Sequence, residues 1–84
     1  GAARAPARAP ANQAVLRAAR KEVQRLERAL EKLAAREVAL HEEMAAAATD
    51  HGRLRTLQAS MAVLGAERDE LEAAWMECSE ALEA

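Results

Sequence analysis

The residues that could carry out chemistry are few and widely separated. His41 precedes two glutamates, as in one zinc-protease motif, but the second histidine that this motif requires is missing. His51 has no cysteine or histidine near it, and Cys78 is the only cysteine, at a position typical of a small buried hydrophobic residue. No glycine-rich phosphate loop is present. The sequence therefore predicts no catalytic residue, no cofactor-binding residue and no metal site.

One set of charged residues could bind a ligand by charge alone. It consists of basic residues three or four positions apart: Arg17, Lys21, Arg25, Arg28 and Lys32. On a helix this spacing forms a basic stripe along one face, interrupted by Glu31. The stripe is either an ordinary solvated face or a weak contact for the phosphates of RNA or DNA. Because no aromatic residue accompanies it, we do not expect sequence-specific readout.

The elements that must position these residues are helices. Ala, Glu, Leu and Arg dominate, Trp75 is the single aromatic residue, and β-branched residues are scarce. Charge is divided along the chain, because residues 1–36 contain nine basic and three acidic residues, whereas residues 37–84 contain three basic and eleven acidic ones. No apolar run approaches the roughly 18 residues of a membrane span, and one cysteine suits a reducing compartment, so we expect a cytoplasmic protein.

Apolar residues follow a seven-residue repeat, abcdefg, whose a and d positions form the seam of a coiled coil. In the first segment the a positions are Leu16, Val23, Leu30, Glu37 and Met44, and the d positions are Ala19, Leu26, Leu33, Leu40 and Ala47. In the second the a positions are Leu54, Met61, Arg68, Trp75 and Leu82, and the d positions are Leu57, Leu64, Leu71 and Cys78. Two such segments joined by a short break predict an antiparallel pair.

The predicted fold is thus all-α, a two-helix antiparallel coiled-coil hairpin over residues 12–84. Its parts are a helix over 12–48, a turn over 49–52 and a helix over 53–83, with Gly52 breaking the helix and Thr49 or Asp50 capping the next one. Residues 1–11, a basic segment rich in Pro and Ala, are predicted to be a disordered or extended linker.

Two charged residues occupy the predicted seam. Placing the turn between Asp50 and His51 sets a positions against d positions throughout, for example Leu26 against Trp75. In this alignment Glu37 and Arg68 lie one helical turn apart, so we predict an ion pair that sets the register, flanked by a second pair of Arg36 with Glu67. The alternative is that Glu37 and Arg68 reach water separately.

The residues that satisfy this pattern also resemble a known family. The similarity covers roughly Lys21 to Leu82 and includes Lys21-Glu22, Arg25-Leu26-Glu27, Leu30, Leu33, the turn at 47–50, Leu54, Leu57, and Glu67 to Trp75 with Glu77. This pattern resembles the C-terminal coiled-coil domain of ABC-F ATPases, which are twin-cassette ATP-binding proteins without membrane domains. The turn is more compact than in many relatives, and His51 stands where an aromatic residue is common.

The resemblance implies a function without catalysis in this chain. The hairpin would be an accessory arm of an ATPase, with ATP and Mg held in upstream cassettes and no cofactor in the hairpin itself. It would contact nucleic acid (rRNA, tRNA or DNA) or the ribosome, and also the ATPase cassettes of the same chain. The alternative is a structural coiled coil for protein–protein interaction or oligomerisation, because Val38 and Val63 lie outside the seam. We also expect weak association of the chain into a homodimer, and we expect no contact with a membrane.

Overall fold

The fold is a hairpin of two long helices. The computed structural model describes residues 4–83, with side chains from Asn12 onward. Helix α1 spans Arg4–Ala46 and helix α2 spans His51–Glu83, and no strand occurs within residues 4–83. The helices lie side by side in a rod with extents of 71 × 15 × 14 Å. The all-α, two-helix hairpin predicted from the sequence is confirmed.

Helix α1 begins earlier than predicted. It starts at Arg4 rather than at Asn12, so its backbone continues through most of the predicted linker. Pro6 lies in the first turn, where a missing N–H has no intrahelical partner to lose, and the alanines that surround both prolines are the strongest helix formers. Residues 1–3 of the linker lie outside the described residues. The division of the chain into a linker and a hairpin domain stays a prediction.

The turn lies two residues before its predicted position. It occupies residues 47–50, where the Asp50 N–H donates to the Ala47 carbonyl at 2.9 Å. The Arg53 N–H donates to Asp50 Oδ1 at 3.0 Å, so Asp50 rather than Thr49 is the N-cap of α2. Gly52 consequently lies inside α2 and without a positive φ. Glycine does not break the helix there, because its entropic cost of roughly 0.5–1 kcal/mol relative to alanine is offset by the Asp50 cap.

The seam follows the predicted heptads. Every a and d position from Leu16 to Leu82 is buried or half-buried. The two sides of the seam nevertheless differ, because the most buried residues are all d leucines, with exposures of 1% to 3%: Leu26, Leu33, Leu57 and Leu64. The a residues of both helices are only half-buried. Four d leucines are therefore the best-buried part of the seam, whereas the other five d positions and every a position are only half-buried. An open groove lies beside the a residues Leu30 and Trp75.

Candidate functional site

The basic stripe lies on the outer surface of α1. All five of its residues are exposed, as expected for outer positions of a coiled coil: Arg17, Lys21, Arg25, Arg28 and Lys32. At the 1.5 Å rise of a helix the stripe is about 22 Å long. Among residues 12–83, only Arg25 of this set forms an ion pair. The stripe therefore presents a row of accessible cations without a pocket or a stacking platform.

Arg25 is held by a neighbour on the same helix. Its Nε and Nη2 atoms donate to the two carboxylate oxygens of Glu22, each at 2.7 Å. These hydrogen bonds are the main cause that lowers the pKa of Glu22 and raises the pKa of Arg25. Because the guanidinium already faces a carboxylate, Arg25 attracts a phosphate less strongly than the other four members of the stripe.

The two charged seam residues meet as an ion pair. Arg68 Nη1 donates to Glu37 Oε2 at 2.7 Å, across the two helices. The Glu37 side chain is 16% exposed and that of Arg68 is 43% exposed. The carboxylate is therefore largely shielded from water, whereas the guanidinium is not. Arg68 also faces Glu72 at 3.3 Å and Asp69 at 3.9 Å on its own helix. One guanidinium thus stands among three carboxylates, and the expected contact is formed.

The flanking pair predicted beside it does not form. Within the part of the chain whose side chains are described, no ion pair joins Arg36 to Glu67. Arg36 instead lines a surface notch together with Ser60 and Val63. The ion pair that flanks the seam is nearer the turn, where Arg53 Nη2 lies 3.1 Å from Glu43 Oε1. The predicted pair of Arg36 with Glu67 was therefore wrong, although the pair that forms joins residues at the equivalent heptad position.

Trp75 makes a contact that the heptad pattern did not predict. It is half-buried at its a position, and its Nε1–H donates to Glu27 Oε2 at 3.3 Å. Glu27 follows Leu26, the residue predicted to face Trp75, so the contact agrees with the predicted alignment. Beside the indole lies an open groove of about 480 Å³. The sequence signal that could have revealed it is Ala34, a small residue next to the seam.

The two histidines and the cysteine lie at separate places on the hairpin. His41 and His51 are exposed, and Cys78 is half-buried in the seam. Within residues 4–83, no three His, Cys, Asp or Glu side chains are grouped so as to hold a metal ion. Over the same range, neither helix contains a segment both long and apolar enough to cross a bilayer. Among residues 12–83, the features that remain as candidate sites are the basic stripe, the ion pair of Glu37 with Arg68, and the groove beside Trp75.

Comparison with known proteins identifies one family. Residues 16–80 match the family described as ABC transporter C-terminal domain. The matched range begins at the first a leucine and includes both arms of the seam and the turn. No curated protein and no solved structure shows a significant match.

Proposed function

Because this chain belongs to the ABC transporter C-terminal domain family, we propose that it is a non-catalytic accessory arm that contacts nucleic acid. The parent protein would be an ATPase of the ABC-F type, with ATP and Mg bound by its cassettes. The arm would act in the cytoplasm, where it would contact rRNA, tRNA, DNA or the ribosome. The observation that supports this proposal is the exposed basic stripe of α1.

The distribution of charge restricts the face of the hairpin that a nucleic acid can contact. Seven acidic residues of α2 lie beyond residue 66 and run beside the basic half of α1: Glu67, Asp69, Glu70, Glu72, Glu77, Glu80 and Glu83. They repel a polyanion from the α2 side of the rod, so a nucleic acid would be confined to the outer face of α1. A helical stripe without aromatic residues contacts phosphates and not base edges, and we therefore expect binding without sequence preference.

Salt dependence is the most direct test. Four or five phosphate contacts would release about as many counterions, so the logarithm of the affinity should fall with the logarithm of salt with a slope of roughly −3.6 to −4.5 on a duplex. Fluorescence anisotropy with a labelled RNA duplex and a DNA duplex of equal length measures this slope. The absence of binding even at low salt would contradict the proposal for this hairpin.

A matched pair of double variants locates the contact. Lys21→Gln with Arg28→Gln removes two charges from the stripe and should lower the salt slope by about 2. Arg36→Gln with Arg55→Gln removes two exposed charges outside the stripe and should leave the slope nearly unchanged. Equal losses in both variants would mean that net charge, and not the stripe, attracts the nucleic acid.

Protein–protein interaction is the second candidate function. The observation that favours it is Val63, which is 66% exposed and lines the notch of about 410 Å³ near Leu40 and Leu64. A second hairpin could cover this notch and form a four-helix bundle. Sedimentation over a concentration series separates the candidates, because a stable oligomer that is lost on Val63→Gln substitution would support oligomerisation instead.

A further inference from the structure

The groove beside Trp75, which we call the Trp75 groove, lies on the open a side of the seam. Its apolar floor is formed by Leu30 and Ala34 of α1 and by Trp75 of α2. Leu30 and Trp75 are only half-buried, although both occupy core positions of the heptad. Apolar surface is therefore left accessible to a ligand at a place where coiled coils normally bury it.

The aromatic wall of the groove is held in place before any ligand arrives. The hydrogen bond from Trp75 Nε1 to Glu27 Oε2 links the indole on α2 to a glutamate side chain on α1. A tryptophan whose N–H is satisfied presents a large apolar surface with little rotamer freedom left to lose on binding. The hydrogen bond therefore favours the orientation in which the indole lines the groove.

The charges around the groove select the kind of ligand. Four carboxylates line it, those of Glu27, Glu31, Glu37 and Glu72, against the single guanidinium of Arg68. Arg68 lies 2.7 Å from Glu37 and 3.3 Å from Glu72, so it is already shared between these two residues. Among residues 12–83, neither Glu27 nor Glu31 forms an ion pair. An apolar floor with a net negative border favours a ligand that is both apolar and cationic.

We infer that the Trp75 groove binds a cationic polypeptide segment that places an apolar anchor on Leu30 and Ala34 and an Arg or Lys against Trp75, Glu27 and Glu31. The indole and the two carboxylates attract the same cation, because a cation over an aromatic face and an ion pair reinforce each other. An inorganic cation would gain nothing from the apolar floor. A nucleic acid would be repelled, so this inference does not depend on the proposed contact of the basic stripe.

A second copy of the hairpin is a less suitable occupant. Its largest group of cations is the outer stripe of α1, whereas the groove lies over the seam. A contact between these two different surfaces would join copies head to tail. Such heterologous contacts form open chains unless they close into a ring. A cationic segment of a separate partner protein fills the groove without this consequence.

Trp75 itself reports on the binding, because it is the only aromatic residue of the chain. The probe is a synthetic amphipathic peptide without aromatic residues, with a row of Leu flanked by Arg. Titration at low salt should shift the Trp75 emission to shorter wavelength and saturate at micromolar peptide. A control peptide with Glu in place of Arg should not bind. Absence of a shift with the Arg peptide, or equal binding of both peptides, would overturn the inference.

Two variants and one matched control place the peptide in the groove. Glu27→Gln with Glu31→Gln should weaken binding about tenfold, as expected for the loss of two charge contacts. Ala34→Leu fills the floor without changing any charge and should also weaken binding about tenfold or more. Glu42→Gln with Glu80→Gln removes two exposed charges outside the groove and should change the affinity less than twofold.

Three outcomes of these variants would overturn the inference. The first is equal weakening by the groove pair and by the control pair, because general attraction to an acidic rod would then explain the binding. The second is unchanged binding in Ala34→Leu. The third is a dimer in sedimentation that the Glu27→Gln with Glu31→Gln variant abolishes, because the occupant would then be a second copy. Circular dichroism of each variant checks that the hairpin remains folded.

Discussion

The two sides of the seam differ in burial and in the kinds of residues they contain. On the d side, Leu26, Leu33, Leu57 and Leu64 expose at most 3% of their surface, and the side contains no charged residue. On the a side every residue is half-buried, and Glu37, Arg68 and Trp75 are among them. Both sides obey the same seven-residue repeat, so the repeat alone does not distinguish them.

The difference separates stability from recognition. Burial of apolar area is the main favourable term in folding, and the d leucines are the residues that achieve it most completely. The half-open a side can keep a charged pair partly hydrated and an indole accessible, because it does not need to exclude water fully. We therefore expect substitutions on the d side to change unfolding strongly, and substitutions on the a side to change alignment and binding.

The largest expected effect compares one leucine from each side. Leu33→Ala should lower the free energy of unfolding by about 3 kcal/mol, because it leaves a cavity among fully buried side chains. Leu30→Ala should cost about half as much, since its side chain is only half-buried and water can enter the space. Urea unfolding followed by circular dichroism measures both values. Equal costs would show that the two sides of the seam are energetically alike.

The next effect concerns ion pairs. A double-mutant cycle with Glu37→Gln and Arg68→Gln should give a coupling of about 1 kcal/mol, because Glu37 is largely shielded from water. The same cycle on Arg53 and Glu43, whose side chains are each 50% exposed, should give about 0.3 kcal/mol. A coupling near zero for the first pair would remove its predicted role in setting the register.

A smaller effect tests the packing next to the a side. Gly65 lies in the interior of α2 without a positive φ, and a Cβ there would meet only Arg68 Nη2, at 3.8 Å. Gly65→Ala should therefore raise the free energy of unfolding by about 0.7 kcal/mol. Gly52→Ala, in the first turn of α2, should raise it less. Destabilisation by Gly65→Ala would mean that the a side is more tightly packed than the structure indicates.

The smallest effect is a pH dependence on the outer face of α1. The hydrogen bond from Arg25 lowers the pKa of Glu22 in the folded chain, so the unfolded chain binds more protons in this range. The contribution of Glu22 to stability is then present above its unfolded pKa of about 4.3 and is lost as the pH falls through the lower folded value. Glu22→Gln should reduce stability slightly at neutral pH and not at low pH, and Glu42→Gln serves as control. A difference that is constant with pH would contradict this assignment.

Sequence periodicity was sufficient for the fold class, for the a and d positions and for the meeting of Glu37 with Arg68. These features depend on which residues share a helix face and on where the chain reverses, and both can be read from local spacing. The helix ends were harder to predict from the sequence. The helix propensity of the alanines around Pro6 and the cap at Asp50 shifted each boundary by a different amount.

The unequal seam, the pairing of Arg53 with Glu43 and the Trp75 groove emerged only in the tertiary structure. Each depends on how far the two helices rotate about their own axes, and all the layers of the seam set that rotation together. The heptad pattern does not reveal which layers close, yet four d leucines are almost fully buried while a groove stays open beside the a residues Leu30 and Trp75. Ala34, a small residue next to the a row, leaves room for this groove.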